Sequence, residues 1–267
     1  MQGSLRDAMD AMDGRAQGMS RAPAAGAIAP RTTLFCIPHA GGGVSAFRNW
    51  AAALAPWVDV KVVQLPGRES RFREPPLHEL GDVLGDLYRS VAPAAVGPFA
   101  LFGHSMGALL AYELCHMLRK DAGREPVHLF VSACRAPHIA PIDKPCSGLP
   151  QQEFIAEIMQ SYGGIPAAIL ADDAFMAAVV PAMRADFSIL ERYRAAERSP
   201  LDCPISAFGG RHDNATPQST LEAWQRHTTN AFSLEMLDGD HFFLQSERSA
   251  LIAAILAATS MIRRISS

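Results

Sequence analysis

The residues that invite chemistry are Gly103-His-Ser-Met-Gly107, a G-x-S-x-G segment. The apolar run Phe99–Phe102 precedes it and the helically patterned Ala108–Arg119 follows, so Ser105 falls on a sharp turn between a strand and a helix. Glycine at 103 and 107 leaves room for that turn and for close helix–strand packing. A serine hydroxyl is a weak nucleophile at neutral pH and needs an adjacent base. Among the nine histidines, His104 neighbours Ser105, but successive side chains at a turn diverge, which makes it structural. His116 and His128 fall in a helix and a strand and are read as core or surface residues. His241 follows Leu237-Asp-Gly-Asp240 at the end of a strand and precedes the last helix. On a serine elbow the partners follow in chain order, acid and then histidine, so His241 is the expected base.

The orienting acid should lie between the two, just after a strand. Asp213 does, in the loop Gly209-Gly-Arg-His-Asp213 that follows the apolar Ile205–Phe208. Asp238 and Asp240 are too close in sequence to face the far nitrogen of His241, and Asp202 precedes the strand at the wrong edge. The spacings are 108 residues from Ser105 to Asp213 and 28 from Asp213 to His241. Acyl transfer also needs donors for a developing oxyanion. The backbone N–H of Met106, directly after the nucleophile, is one. The other should come from the loop after the first strand, Pro38-His-Ala-Gly-Gly-Gly43, where Ala40 N–H is the choice. His39 is read as shaping that loop through a hydrogen bond. There is no P-loop, no G-x-G-x-x-G after a strand and no H-E-x-x-H, so neither cofactor nor metal is expected.

These residues must be positioned by strands and helices that alternate. Leu34–Ile37, Val58–Leu65, Phe99–Phe102 and Val127–Ala133 read as buried strands, with helices expected around Ala46–Leu54, Leu77–Val91 and Ala108–Arg119. Such alternation implies an α/β fold, a parallel sheet covered on both faces. The order breaks over about 143–200, which looks helical without a clear strand and carries Gly163-Gly-Ile-Pro166, an insertion suited to a lid. It resumes at Pro204–Phe208 and Ser233–Leu237 and closes on the helix Glu247–Arg264. Residues 1–30 carry no pattern and read as a flexible tail, leaving 31–267 as one domain.

Composition excludes other classes. At 267 residues and 49% hydrophobic content the chain can bury a large core without staples. A balance of 24 Lys+Arg against 27 Asp+Glu provides no basic field for nucleic acid. The five cysteines are an odd set without a C-x-x-C pair, fitting a reducing compartment better than disulfides or zinc, and none sits in an activating motif. The N-terminus lacks the pattern of a signal peptide, and no apolar run is long enough to span a bilayer. A cytoplasmic monomer that does not bind membranes is expected.

Several stretches together resemble the type II (editing) thioesterases of polyketide and nonribosomal peptide synthesis, within the α/β-hydrolase fold. They are Phe35-Cys-Ile-Pro-His-Ala-Gly-Gly42, Gln64-Leu-Pro-Gly-Arg-Glu69, Phe102-Gly-His-Ser-Met-Gly-Ala108, Pro181-Ala-Met-Arg-Ala-Asp-Phe187, Ala207-Phe-Gly-Gly210 and Gly239-Asp-His-Phe-Phe-Leu244. G-H-S-M-G occurs across many hydrolases, whereas L-P-G-R-E and R-A-D-F are far more specific. The resemblance implies a mostly parallel sheet with helices on both faces and a helical lid. It implies hydrolysis of acyl thioesters on the phosphopantetheine arm of an acyl or peptidyl carrier protein, the arm belonging to the substrate. Because carrier proteins are typically acidic, Arg68, Arg71 and Arg73 are candidate docking residues, with a solvated loop as the alternative. Apolar residues of the insertion (Phe154, Ile158, Met159, Phe175, Met183, Phe187) read as lid core before substrate contacts. The competing readings are a medium-chain fatty acyl thioesterase, a general carboxylesterase and a catalytically silent hydrolase-fold binding module.

Overall fold

The computed structural model describes residues 31–139 and 144–265, with side chains to residue 260; the tail expected over 1–30 lies outside the described residues. Six parallel strands form one sheet: β1 (Thr32–Ile37), β2 (Val58–Val62), β3 (Phe99–His104), β4 (His128–Ser132), β5 (Ile205–Gly210) and β6 (Phe232–Leu237), in the order β2-β1-β3-β4-β5-β6. The helices are α1 (Trp50–Leu54), α2 (Leu80–Val91), α3 (Met106–Ala122), α4 (Gln151–Ser161), α5 (Ala167–Leu170), α6 (Asp173–Arg192), α7 (Gln218–Glu222), α8 (Phe243–Ser246) and α9 (Arg248–Ile265).

Strand residues alternate between two cores because successive side chains leave opposite faces. Phe35, Ile37, Leu101, Val131 and Ala207 pack on one face with Val83, Leu87 and Val91 of α2 and with the buried side of α3. Leu34, Cys36, Phe102, Phe130 and Phe208 pack on the other with Trp50 and Leu54 of α1 and Leu251, Ile252 and Ile255 of α9. Both faces of the central strands β1, β3, β4 and β5 are therefore dry, which is why they read as apolar runs. The edge strands β2 and β6 instead alternate with exposed residues such as Asp59, Lys61 and Glu235. Each fully buried Phe or Leu contributes about 2–3 kcal/mol of transfer free energy.

From β1 the chain steps outward to β2 and then returns to β3 on the other side of β1. A parallel sheet opens a crevice at the carboxyl ends of its strands where the order reverses in this way. The loops after β1 and β3 meet there. Helices α4–α6 occupy the connection from β4 to β5 and have a core of their own, including Cys146, Phe154, Ile158, Val180, Met183 and Phe187. Phe175 departs from the core reading: it is exposed, at 45% of its full accessibility.

Two local elements differ from expectation. Ala46–Leu54 is a 3-10 turn (Val44–Phe47) followed by α1, separated at Asn49, whose left-handed φ of 69° a continuous helix does not permit. The β2 ladder ends at Val62, before the Pro66-Gly67 turn. No helix among the described residues is long and apolar enough to cross a membrane.

Candidate active site

Ser105 joins β3 to α3 with φ 54° and ψ −120°, a backbone conformation that non-glycine residues rarely adopt. Its N–H donates to Ser132 O at 2.7 Å, pinning the turn to β4. The close approach explains both flanking glycines. A Cβ on Gly103 would lie 2.1 Å from Gly107 O, and one on Gly107 would lie 2.1 Å from Ile37 O.

His241 reaches this serine from the loop after β6. Its Nε2 lies 3.0 Å from Ser105 Oγ, and its Nδ1 lies 2.8 Å from Asp213 Oδ2. Asp213 stands at the end of β5, where its other oxygen accepts from Ala215 N–H at 2.9 Å. Burial works to raise the Asp213 carboxyl. The His241 hydrogen bond and charge, Ala215 N–H and Thr216 outweigh it and hold the group below its ordinary value. The carboxylate is thus kept ionised where it can orient the Nδ1–H tautomer, which leaves Nε2 free to accept the serine proton. The other acids are elsewhere. Asp238 pairs with His212 at 3.0 Å, Asp240 accepts from Phe242 N–H, and Asp202 bonds Thr229.

His104, read as structural, holds the backbone of His241 in place. Its Nε2 meets the backbone carbonyl of His241 at 2.9 Å and its Nδ1 meets Ser132 Oγ at 2.9 Å. Complete burial drives its pKa well below 6.5, with the charges of His241 and His39 acting in the same direction. The ring is therefore a neutral brace between β4 and the histidine loop. Nothing in the local sequence announces this contact, which spans 137 residues.

Met106 is the first residue of α3, so its N–H has no intrahelical acceptor. The loop after β1 brings Ala40 into a cavity that Ser105 and His241 also line. In that loop Gly41 N–H donates to Asp186 Oδ2 at 2.7 Å and Gly42 N–H to His39 O at 2.9 Å. Ala40 N–H has no acceptor among the described residues. His39 corrects one expectation: its backbone carbonyl, not its ring, makes the loop hydrogen bond. The ring packs edge-on against His104 and Phe242, burial holds its pKa near 4, and its Nδ1 has no partner among the described residues.

Two cavities meet at Ser105 and His241. The smaller, about 80 Å³, is walled by Met106, Leu109, Ile139, Tyr162, Leu190 and Tyr193. The larger, about 700 Å³, runs between the glycine loop and the helical insertion, past Ile158, Ile169, Phe175, Met183 and Phe187. Insertion residues thus serve both as core and as cavity wall. Tyr162 lines both cavities, its ring 4.9 Å from that of His241.

The arginines of the L-P-G-R-E region differ from the docking expectation. Arg68 is buried in a two-pronged ion pair with Asp186, Nη1 at 2.7 Å and Nη2 at 3.0 Å. Arg71 is held by Glu74 and Asp86. Only Arg73 has no ion pair among the described residues. A guanidinium prefers a planar carboxylate partner to solvent when it is enclosed. Burial raises all five cysteine thiols above their ordinary value, Cys146 to about 11, Cys134 and Cys203 to about 12 and Cys36 and Cys115 further, which disfavours the reactive thiolate. Among the described residues no cluster of His, Cys, Asp or Glu could hold a metal ion.

Comparison with known proteins gives a consistent set of likenesses. Residues 32–259 match the family model described as a thioesterase domain. The gramicidin S biosynthesis protein GrsT of Aneurinibacillus migulanus is 42% identical over 224 residues, covering 84% of this chain and 87% of that protein. Among solved structures, the RedJ thioesterase of the prodiginine pathway in Streptomyces coelicolor superposes with a TM-score of 0.80. It is 38% identical and covers 90% of this chain and 97% of its own. The type II thioesterase BorB of the borrelidin cluster follows with a TM-score of 0.79 and 34% identity, covering 87% of this chain and 94% of its own.

Proposed function

Because the chain belongs to the thioesterase family, we propose that it clears acyl groups from the phosphopantetheine arm of acyl or peptidyl carrier proteins in nonribosomal peptide or polyketide biosynthesis. Ser105 is the nucleophile, His241 the base and Asp213 the orienting acid; Ala40 and Met106 N–H receive the oxyanion. One observation supports this most: the unbroken line from Asp213 through His241 to Ser105, 2.8 and 3.0 Å per link, at the wall shared by the two cavities.

Ser105 Oγ attacks the thioester carbonyl as its proton passes to His241 Nε2. The carbonyl π-electrons move onto oxygen, where the two N–H groups stabilise the charge. The intermediate collapses, the C–S bond breaks and the sulfur leaves as the thiol, taking the proton from His241 Nε2, which is then free to accept again. Water then attacks the acyl-serine, giving its proton to His241 Nε2, and collapse returns a proton to Ser105 with release of the free acid. No metal or redox cofactor has a part in this sequence.

The larger cavity has room for an acyl chain or for the arm that delivers it. The direct test is hydrolysis of short and medium acyl groups from a phosphopantetheinylated carrier protein, alongside matched oxygen esters. Preference for the carrier-bound thioester, lost in Ser105→Ala, is the expected result. Equal or better turnover of simple esters without regard to the carrier would overturn the carrier assignment and favour a general esterase.

A further inference from the structure

The two sequence motifs that the triad leaves unexplained, L-P-G-R-E and R-A-D-F, meet at the oxyanion loop. Arg68 of the first and Asp186 of the second lie 118 residues apart and form the buried ion pair, with side chains 6% and 1% exposed. The same carboxylate oxygen that meets Arg68 Nη1 also accepts Gly41 N–H, each at 2.7 Å. Glu69, the next residue of the motif, accepts Val44 N–H at 2.8 Å, Ser45 N–H at 3.1 Å and Ser45 Oγ–H at 2.6 Å. The glycine loop is therefore clamped at both ends by adjacent residues of one motif, through Asp186 at Gly41 and directly at Val44 and Ser45.

From this geometry, and resting on the functional reading above, we infer that Asp186 is a positioning residue for the oxyanion donor Ala40, acting through Gly41 N–H. Gly41 N–H belongs to the peptide plane directly after Ala40. Fixing that plane restricts ψ of Ala40, while the Gly42 N–H to His39 O bond restrains the other side of the turn. A hydrogen bond from an N–H to a carboxylate is shorter and stronger than one to a neutral acceptor. Burial raises the Asp186 carboxyl above its ordinary value, and the Arg68 guanidinium opposes that rise by its charge and its two hydrogen bonds. Asp186 stands on α6, inside the helical insertion, where Arg184 anchors the start of the insertion by donating to the Ser147 and Leu149 carbonyls and Phe187 packs on Tyr162. Seating of the insertion and alignment of the oxyanion hole are thereby one event.

The test compares Arg68→Met/Asp186→Leu, which removes the pair and the acceptor, with Arg68→Met/Asp186→Asn, which removes the charges but keeps an acceptor for Gly41. Neither leaves an unpaired buried charge, so both are expected to fold. With a p-nitrophenyl acyl ester as substrate, the leucine variant should lose about 10- to 100-fold in kcat, with KM within about twofold. Its affinity for an acyl trifluoromethyl ketone, which places an oxyanion in the hole, should fall by the same factor. The asparagine variant should recover most of both losses. The acidic limb of the pH profile should stay in place, because no atom of the Ser105–His241–Asp213 line is changed. A folded leucine variant with wild-type kcat, a loss shared equally by the asparagine variant, or a loss confined to KM would each overturn the inference. Should the leucine variant fail to fold, Arg68→Met/Asp186→Ala replaces it with the same readouts. The simple ester keeps this outcome separate from the carrier assignment, which fails only if the carrier-bound thioester is not preferred.

Discussion

Replacing Ser105 by glycine should give a more stable protein than replacing it by alanine. Both substitutions remove the hydroxyl and its 3.0 Å contact with His241, so that loss cancels between them. They differ in the backbone. At φ 54° and ψ −120°, a residue with a Cβ carries strain of order 1–3 kcal/mol, which glycine does not. Glycine in turn loses more conformational entropy on folding, about 0.5–1 kcal/mol relative to alanine. The difference favours Ser105→Gly by about 1 kcal/mol, or roughly 2–4 °C in Tm for a domain of this size. At an ordinary helix or strand position the sign would be reversed. Guanidinium denaturation of the two inactive variants, checked for equal m-values, measures it. An alanine variant more stable than the glycine variant by about 0.5–1 kcal/mol, the entropic difference alone, would mean that the elbow stores no strain and that Ser105 is not held in a costly conformation.

Other consequences are open to simple measurement. Asp213→Asn should lower kcat by about 10³–10⁴ while leaving the fold intact, because the wrong histidine tautomer then faces Ser105; a loss below tenfold would remove Asp213 from the site. Gly107→Ala should destabilise by about 1–3 kcal/mol and slow catalysis, although alanine favours helices, because its Cβ would meet the Ile37 carbonyl at 2.1 Å. Neutral or improved stability there would refute the close packing of α3 on β1. Acid should weaken the fold before it reaches the ordinary carboxylate range. His116 and His128 are held near pKa 4 by burial, so the unfolded chain takes up their protons first and stability falls as the pH drops from 7 toward 4. His128, the more deeply buried, should cost about 2 kcal/mol between pH 7 and 5, and His116 less because water screens it. His128→Phe should flatten that slope in pH-dependent denaturation, and an unchanged slope would show that His128 is not buried neutral.

The juxtaposition of Ser105, His241 and Asp213 was legible because each carries a local signal: an apolar run, a turn and a helix around Ser105, and strand-end loops at Asp213 and His241. The parallel sheet was legible from runs such as Phe99–Phe102 and Val127–Ala133, whose lack of alternation requires burial on both faces. The Arg68–Asp186 pair was not. Arginine and aspartate are ordinarily exposed, and a pairing across 118 residues has no local signature, so Arg68 reads naturally as a solvent-facing docking residue. Its motif did mark it out, since L-P-G-R-E and R-A-D-F each hold one half of the pair. The brace from His104 to the His241 carbonyl was hidden for the same reason, because neighbours in sequence gave no sign of a bond to a loop beyond β6. The break at Asn49 depended on one residue entering the left-handed region, which helical periodicity does not register.

The central claim is that Ser105, activated by His241 and Asp213, takes the acyl group from a thioester. Intact-mass measurement after rapid mixing with an acyl thioester should detect a protein population heavier by one acyl group. Peptide mapping should place the acyl group on Ser105, and Ser105→Ala should lack it. Turnover of the thioester by a folded Ser105→Ala protein, or an acyl adduct on any other residue as the kinetically competent species, would contradict the account.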